Sequence, residues 1–321
     1  MGSIERRMFI VGTAASTIGS MMTSGTRAQE ASPRATRTDQ PIRIAVVTPV
    51  SGRAAGPFGL PGRNAAELLV EAINTGAELP APYSSKGLAG RRLLLTVYDE
   101  AGSPSEQAEL FRRIHANGAE VVVGYVGSGA AMAVAPVAEE LRHLFKLVDA
   151  ARVRLPSARL VLISGESGLS RLAASVPDGT VIGGRGSNGW LAPDTEMNRW
   201  FTASYRDRYE VAPIYPAYGM ANALLGLKAA WDKAGPTAGP AEVASALAGS
   251  TFQGIGSTIA MTRANGRQAI AEAAYGTVRR KSVTGQIELV DVRRFPPDCV
   301  NPPDGVTALK WIESGFSGGR C

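Results

Sequence analysis

The chain has 321 residues, 45% of them hydrophobic, enough for a real core and about two domains. Its 37 glycines and 20 prolines suit an α/β protein with many short turns and exclude a collagenous or disordered chain. The formal net charge is +6, but the basic residues are scattered. Short clusters such as Arg91-Arg92, Arg279-Arg280-Lys281 and Arg293-Arg294 lack the interleaved aromatics of a nucleic-acid footprint, so nucleic acid is not an expected partner.

Residues 1–28 read as a signal peptide. Arg6-Arg7 precede a small-residue, apolar stretch from Met8 to Met22, and Thr26-Arg27-Ala28 offers a small-x-small cleavage site. Glu5-Arg6-Arg7-Met8-Phe9-Ile10 resembles a twin-arginine export motif; an ordinary secretory signal with two basic residues is the alternative. Gly, Ser and Thr interrupt the apolar run, which is too short to span a membrane. Residues 29–40 are polar and read as a flexible leader. Cys299 and Cys321 are the two cysteines. An oxidising compartment permits them to pair; two unpaired late thiols are the other reading.

Ile42–Val47 is a short buried strand. A loop over residues 48–61 follows, then a helix with Ala65, Leu68, Leu69, Ala72 and Ile73 on one face. Leu93–Tyr98 is a second strand. Ser103-Pro104-Ser105-Glu106 is a helix start, with Ser as cap, Pro at the first position and Glu three after the cap. Gly118 ends that helix. Val121–Val126 is a third strand, with a helix beginning near Ser128. This alternation predicts a parallel, doubly wound sheet, whose ligands bind at the carboxyl ends of the strands. Further strands are expected at Arg159–Ile163, Thr180–Gly183, Thr258–Met261, Ala273–Val278 and Ile287–Val292. Helices are expected at about residues 195–209, 218–234 and 241–248, the second stopped by Gly235-Pro236.

Catalytic chemistry is poorly represented. The two histidines, His115 and His143, read as solvated helix-face residues. Gly184-Arg185-Gly186-Ser187-Asn188-Gly189 has the spacing of a dinucleotide loop, but Trp190-Leu191-Ala192-Pro193 follows, and Pro193 prevents the helix that would hold a pyrophosphate. No cofactor or metal is therefore expected. Ser128, beside Gly127, lies after a strand and before a helix. Free N–H groups there suit a ligand carboxylate; a plain serine N-cap is the alternative. Glu166 follows a strand in the second half, where it either pairs a ligand ammonium or is a solvated loop acid.

Together these segments resemble the periplasmic type I solute-binding proteins of the branched-chain amino-acid group. Residues 42–52, IRIAVVTPVSG, are similar to that family's opening strand and Ser-Gly loop. Phe58-Gly59 falls where the family has an aromatic-Gly pair in its cleft. Asp99-Glu100-Ala101-Gly102-Ser103-Pro104 resembles its Asp-rich turn, Gly124 to Ser128 its strand-to-serine loop, and Ile163-Ser164-Gly165-Glu166 the strand whose Glu grips a ligand ammonium. Residues 215–221, YPAYGMA, and 300–306, VNPPDGV, resemble its C-terminal segments. After Glu139-Glu140-Leu141 the pattern breaks: His143 runs into Leu144-Phe145-Lys146-Leu147-Val148, which resembles a later helix, as if roughly ninety residues were absent.

The resemblance implies an α/β fold of two doubly wound parallel-sheet lobes, the second incomplete. The first lobe would cover residues 41–143; residues 144–321 would hold a partial second lobe and the C-terminal segments. It implies a periplasmic, non-enzymatic component of an ABC importer that takes a small amino-acid-like or amide-like ligand through Phe58, Gly127, Ser128 and Glu166. Its partner would be an ABC permease in the inner membrane. A sensory protein of the same fold, an extracytoplasmic Rossmann-like enzyme and a non-binding remnant are the rival readings.

Overall fold

A computed structural model describes residues 40–76, 79–103, 106–107, 110, 113–114, 116–124, 161–162, 166, 169, 173–261 and 269–321. The expectations for the signal segment, for the leader up to residue 39, for His115 and His143, and for Gly127 and Ser128 lie outside these residues.

The strand β1 (Ile42–Thr48) is central to the first sheet. It pairs in parallel with β2 (Leu93–Asp99) on one side and β3 (Val121–Gly124) on the other. Its side chains alternate between two cores, as strand pleating requires. Ile42, Ile44 and Val46 face the larger cluster, whereas Ala45 and Val47 meet Leu110 and Ile114 on the opposite face. Those two leucine-type residues lie on the helix that Ser103 caps. There the expected reciprocal cap forms: Ser103 N–H donates to Glu106 Oε2 at 2.6 Å and Glu106 N–H to Ser103 Oγ at 3.3 Å. The backbone N–H and the hydroxyl of Ser103 hold the Glu106 carboxyl below its ordinary range.

The helix α1 (Leu60–Thr75) buries Ala65, Leu68, Leu69, Ala72 and Ile73, the stripe its spacing predicts, and stops at Gly76 with φ 67°, a left-handed residue suited to glycine. A single π-helical turn (Ala55–Gly59) leads into it, which the sequence pattern does not reveal. The helices α2 (Glu196–Tyr209), α3 (Tyr215–Ala234) and α4 (Pro240–Leu247) follow later in the chain. Thr195 caps α2, accepting from Asn198 N–H at 3.1 Å. The start of α3 lies three residues before the expected Tyr218, because Pro216 sits in the first turn, where its missing N–H costs nothing.

The expected boundary between residues 143 and 144 lies outside the described residues, and described residues from both sides of it share a core. Phe201, Tyr205, Leu224, Trp231 and Phe252 share one core with Ile42, Leu69 and Val123. A helix that buries most of its circumference needs partners on several sides, and α1 with the first sheet supplies them. The short antiparallel sheet of β6 (Thr251–Gln253), β7 (Thr258–Met261) and β8 (Ala269–Ile270) joins this body.

The second sheet runs β10-β9-β5-β4, built from β4 (Val161–Leu162), β5 (Val181–Arg185), β9 (Ala273–Arg280) and β10 (Ile287–Phe295). Only β4 and β5 pair in parallel; β9 is antiparallel to both β5 and β10. The second sheet is thus mixed, where wholly parallel strands were expected. The six residues joining β9 to β10 can close a hairpin but not a crossover. Its own small core is Leu169, Val176, Ile182, Val278 and Ile287. Beyond it lie the short helices α5 (Pro297–Val300) and α6 (Ala308–Glu313). Cys299 and Cys321 form a disulfide, which settles the pairing the sequence left open.

Because β1 is flanked by strands and covered on both faces, Ile44–Val46 amides should exchange far more slowly than those of Val290–Arg293. The latter lie on an edge strand interrupted by a bulge. Native-state hydrogen exchange measures this order directly.

Candidate functional site

The carboxyl edge of the first sheet is built by close backbone packing. A Cβ on Gly59 would stand 1.4 Å from the Pro49 carbonyl oxygen, and one on Gly124 would stand 1.8 Å from that of Val47. Only glycine allows these approaches, so loop 49–59 folds back on the top of β1 and carries Phe58, half-buried, on its π turn.

Asp99, the last residue of β2, ties this edge together. Its Oδ1 accepts from Val50 N–H at 3.0 Å and from Ala101 N–H at 3.1 Å, while Glu100 N–H donates to Thr48 O at 3.1 Å. Burial pushes the Asp99 carboxyl up, but hydrogen bonds from the Ser51 hydroxyl and from the N–H groups of Ala101, Val50 and Ser51 outweigh it and hold it below its ordinary range. Asp99→Ala should cost about 1–3 kcal/mol in urea denaturation at neutral pH. A carboxyl lowered in the fold stabilises above its unfolded pKa of about 3.9, and that contribution fades as the pH falls through the lowered value. The variant and the wild type should therefore converge in acid.

Glu166 is the one expected contact from the second half, and it is only 4% exposed on helical backbone. The reading as a solvated loop acid does not hold. Gly189 (φ 49°) presses against it: a Cβ there would stand 1.7 Å from Glu166 Oε1. Near both stands Tyr218 of α3, whose hydroxyl donates to Asn198 Oδ1 of α2 at 2.8 Å. Burial pushes the Tyr218 phenol up to about 12; the charge of Glu166 adds to this, while hydrogen bonds with Thr202 and the Gly189 backbone oppose it. Pro216 and Met220, one turn apart, face Gly62 of α1; Tyr218 points the other way, where its ring meets Phe201 edge-on.

The structure thus places Phe58 on the first sheet's edge and Glu166 where α2 and α3 meet the second body. Tyr218, Asn198 and Gly189 were not expected at the site. Tyr218 lies in the quoted YPAYGMA segment and Gly189 in the glycine-rich loop, whereas nothing in the sequence marks Asn198. That loop is no dinucleotide cradle: β5 turns at Gly186 (φ 84°), a single 3-10 turn spans Gly189–Leu191, and α2 opens only at Glu196.

Two serine contacts bear on catalysis. Lys228, fully buried in α3, lies 2.8 Å from Ser85 Oγ, but its ammonium also donates to Gly87 O at 2.7 Å and Asp232 Oδ2 at 2.9 Å. Its three N–H donors are thus taken up by Ser85, Gly87 and Asp232. The second contact joins the Ser187 hydroxyl to the Glu272 carboxylate. Among the described residues no helix is long and apolar enough to cross a membrane, and no group of His, Cys, Asp and Glu is placed to hold a metal.

Residues 41–148 match the model of the periplasmic binding protein family. Over 99 residues the chain is 32% identical to a Leu/Ile/Val-binding protein homologue of Brucella melitensis; the match spans 31% of this chain and only 24% of that relative. The fold extends further. A leucine-, isoleucine-, valine-, threonine- and alanine-binding protein of Brucella ovis, in its closed conformation, superposes with a TM-score of 0.61 at 14% identity, covering 84% of this chain and 99% of its own. A solute-binding protein of an ABC transporter from Rhodopseudomonas palustris, holding 3,4-dihydroxybenzoic acid, gives 0.58 at 13% identity, with 80% and 98% covered. The chain therefore has the α/β fold of the type I periplasmic binding proteins.

Proposed function

We propose that this protein is the extracytoplasmic solute-binding component of an ABC importer, and that it captures a small amino-acid-like or amide-like solute between its two bodies. The observation that carries this reading is Glu166. A buried carboxylate at the junction of α2, α3 and the second body, lined by Tyr218 and the Gly189 backbone, is the chemistry a ligand ammonium requires. The first sheet's edge, with Phe58 and the Asp99-tied loops, supplies the opposing wall. The segment with Gly127 and Ser128 would hold the ligand carboxylate, and closure of one body on the other would complete the site. The twin-arginine-like start fits export to the periplasm, where an inner-membrane permease would receive the solute.

Solved structures of this fold hold isoleucine in one case and benzoate in another, and the buried acid Glu166 favours the former. Thermal-shift measurements against leucine, isoleucine, their amides, benzoate and 4-hydroxybenzoate separate the two. Ligand at a hundred times Kd stabilises by about 2.7 kcal/mol, a rise of several degrees in a chain of this size. A rise with the amino acids or amides alone supports the reading; a rise with benzoates alone replaces it with an aromatic-acid site.

A further inference from the structure

The two hydrophobic bodies are joined at two described crossings. Residues 186–195 lead from β5 in the second sheet to α2 in the first body. Ala271 and Glu272 lead back from β8 to β9. These crossings are distant in sequence and meet in space. Gly186 N–H donates to Glu272 O at 2.7 Å, and the Ser187 hydroxyl donates to Glu272 Oε1. Ser187 is 3% exposed, and its carbonyl is so close to residues 255–257 that a Cβ on Gly256 would stand 2.3 Å from it. Further bonds bind each crossing to its surroundings. Arg294 of β10 donates to Leu191 O at 2.9 Å, and Asn301 donates to Ala271 O at 3.0 Å.

We propose that Ser187 and Glu272 are positioning residues that yoke the two crossings into one joint, so that the bodies open and close about a single hinge. Two crossings that are not tied to each other leave the bodies more than one axis of relative rotation. A part-buried bond between the crossings, added to the Gly186–Glu272 backbone bond, restricts that rotation to one axis. Loop 186–189 also presses on Glu166 through Gly189, so the same joint sets where the acid of the site stands. Burial raises the Glu272 carboxyl and the charge of Arg294 lowers it, as expected for a carboxyl enclosed by the joint.

The proposal rests on the binding reading only in giving the motion a purpose, and its test needs no ligand. Cysteines placed at Val283, 95% exposed on the β9–β10 hairpin, and at Lys233, exposed at the end of α3, accept spin labels selectively, because the native cysteines are paired. Pulsed dipolar spectroscopy on the full chain should give a narrow distance distribution. Ser187→Ala and Glu272→Ala should each broaden it about twofold or more, while Glu272→Gln, whose amide oxygen still accepts from the serine, should restore the parental width. Slow exchange of the β1 amides confirms that each variant is folded. If Glu272→Ala fails that check, Ser187→Ala decides alone. Parental width in the folded alanine variants, or a Gln variant as broad as the Ala variant, overturns the proposal. A failed ligand screen with an intact joint would count against the proposed function instead.

Discussion

Lys228→Ala is expected to destabilise the chain by about 3–5 kcal/mol in urea denaturation, among the largest losses for any single substitution here. Lys228 is fully buried in the middle of α3. Its ammonium holds Ser85 Oγ and Gly87 O, so it fastens the loop before β2 to the helix. Asp232, one turn on, anchors the same loop through Ala89 N–H. Truncation to alanine leaves a void where the stem packed and leaves these acceptors without their donor. Lys228→Met keeps the stem and removes only the charge. It should cost about 1–3 kcal/mol, because the exposed Asp232 can return to water. Equal losses in the two variants would show that the ammonium, not the packing, carries the effect.

Glu166→Ala is expected to weaken ligand capture by about 2–4 kcal/mol, roughly 30- to 700-fold in Kd, because it leaves a desolvated ammonium unpaired. The fold should survive the change, since the apolar packing of the small second core is made by Leu169, Val176, Ile182, Val278 and Ile287. Calorimetry with the ligand found by thermal shift checks the size of the effect. An unchanged Kd would remove Glu166 from the site and leave Tyr218 and Asn198 as structural partners only.

Much of the first sheet was legible because its signals are local. The apolar run Ile42–Val47, the Ser103–Glu106 cap and the apolar stripe of α1 each act within one element. Long-range packing was not legible. Residues 196–261 return to the first body because α3 needs an apolar face on several sides, and that need does not say which sheet will meet it. The mixed second sheet followed from the short hairpin after Arg280, whose direction reversal outweighs the parallel order expected of an α/β chain. Glu166 was found through a resemblance, whereas Tyr218, Asn198 and Gly189 come to it only through the meeting of α2, α3 and the glycine loop. The Ser187–Glu272 contact joins residues 85 positions apart, beyond the reach of any periodicity.

The most direct test of the central claim is a calorimetric titration of the unmutated, full-length chain with branched-chain amino acids and their amides. A single saturable site with a Kd of about 1 mM or tighter, some −4 kcal/mol or more, is the predicted result. No heat of binding from any of them at tens of millimolar, with the chain folded by β1 amide protection, would contradict the account and favour a periplasmic-binding-protein scaffold that no longer captures a solute.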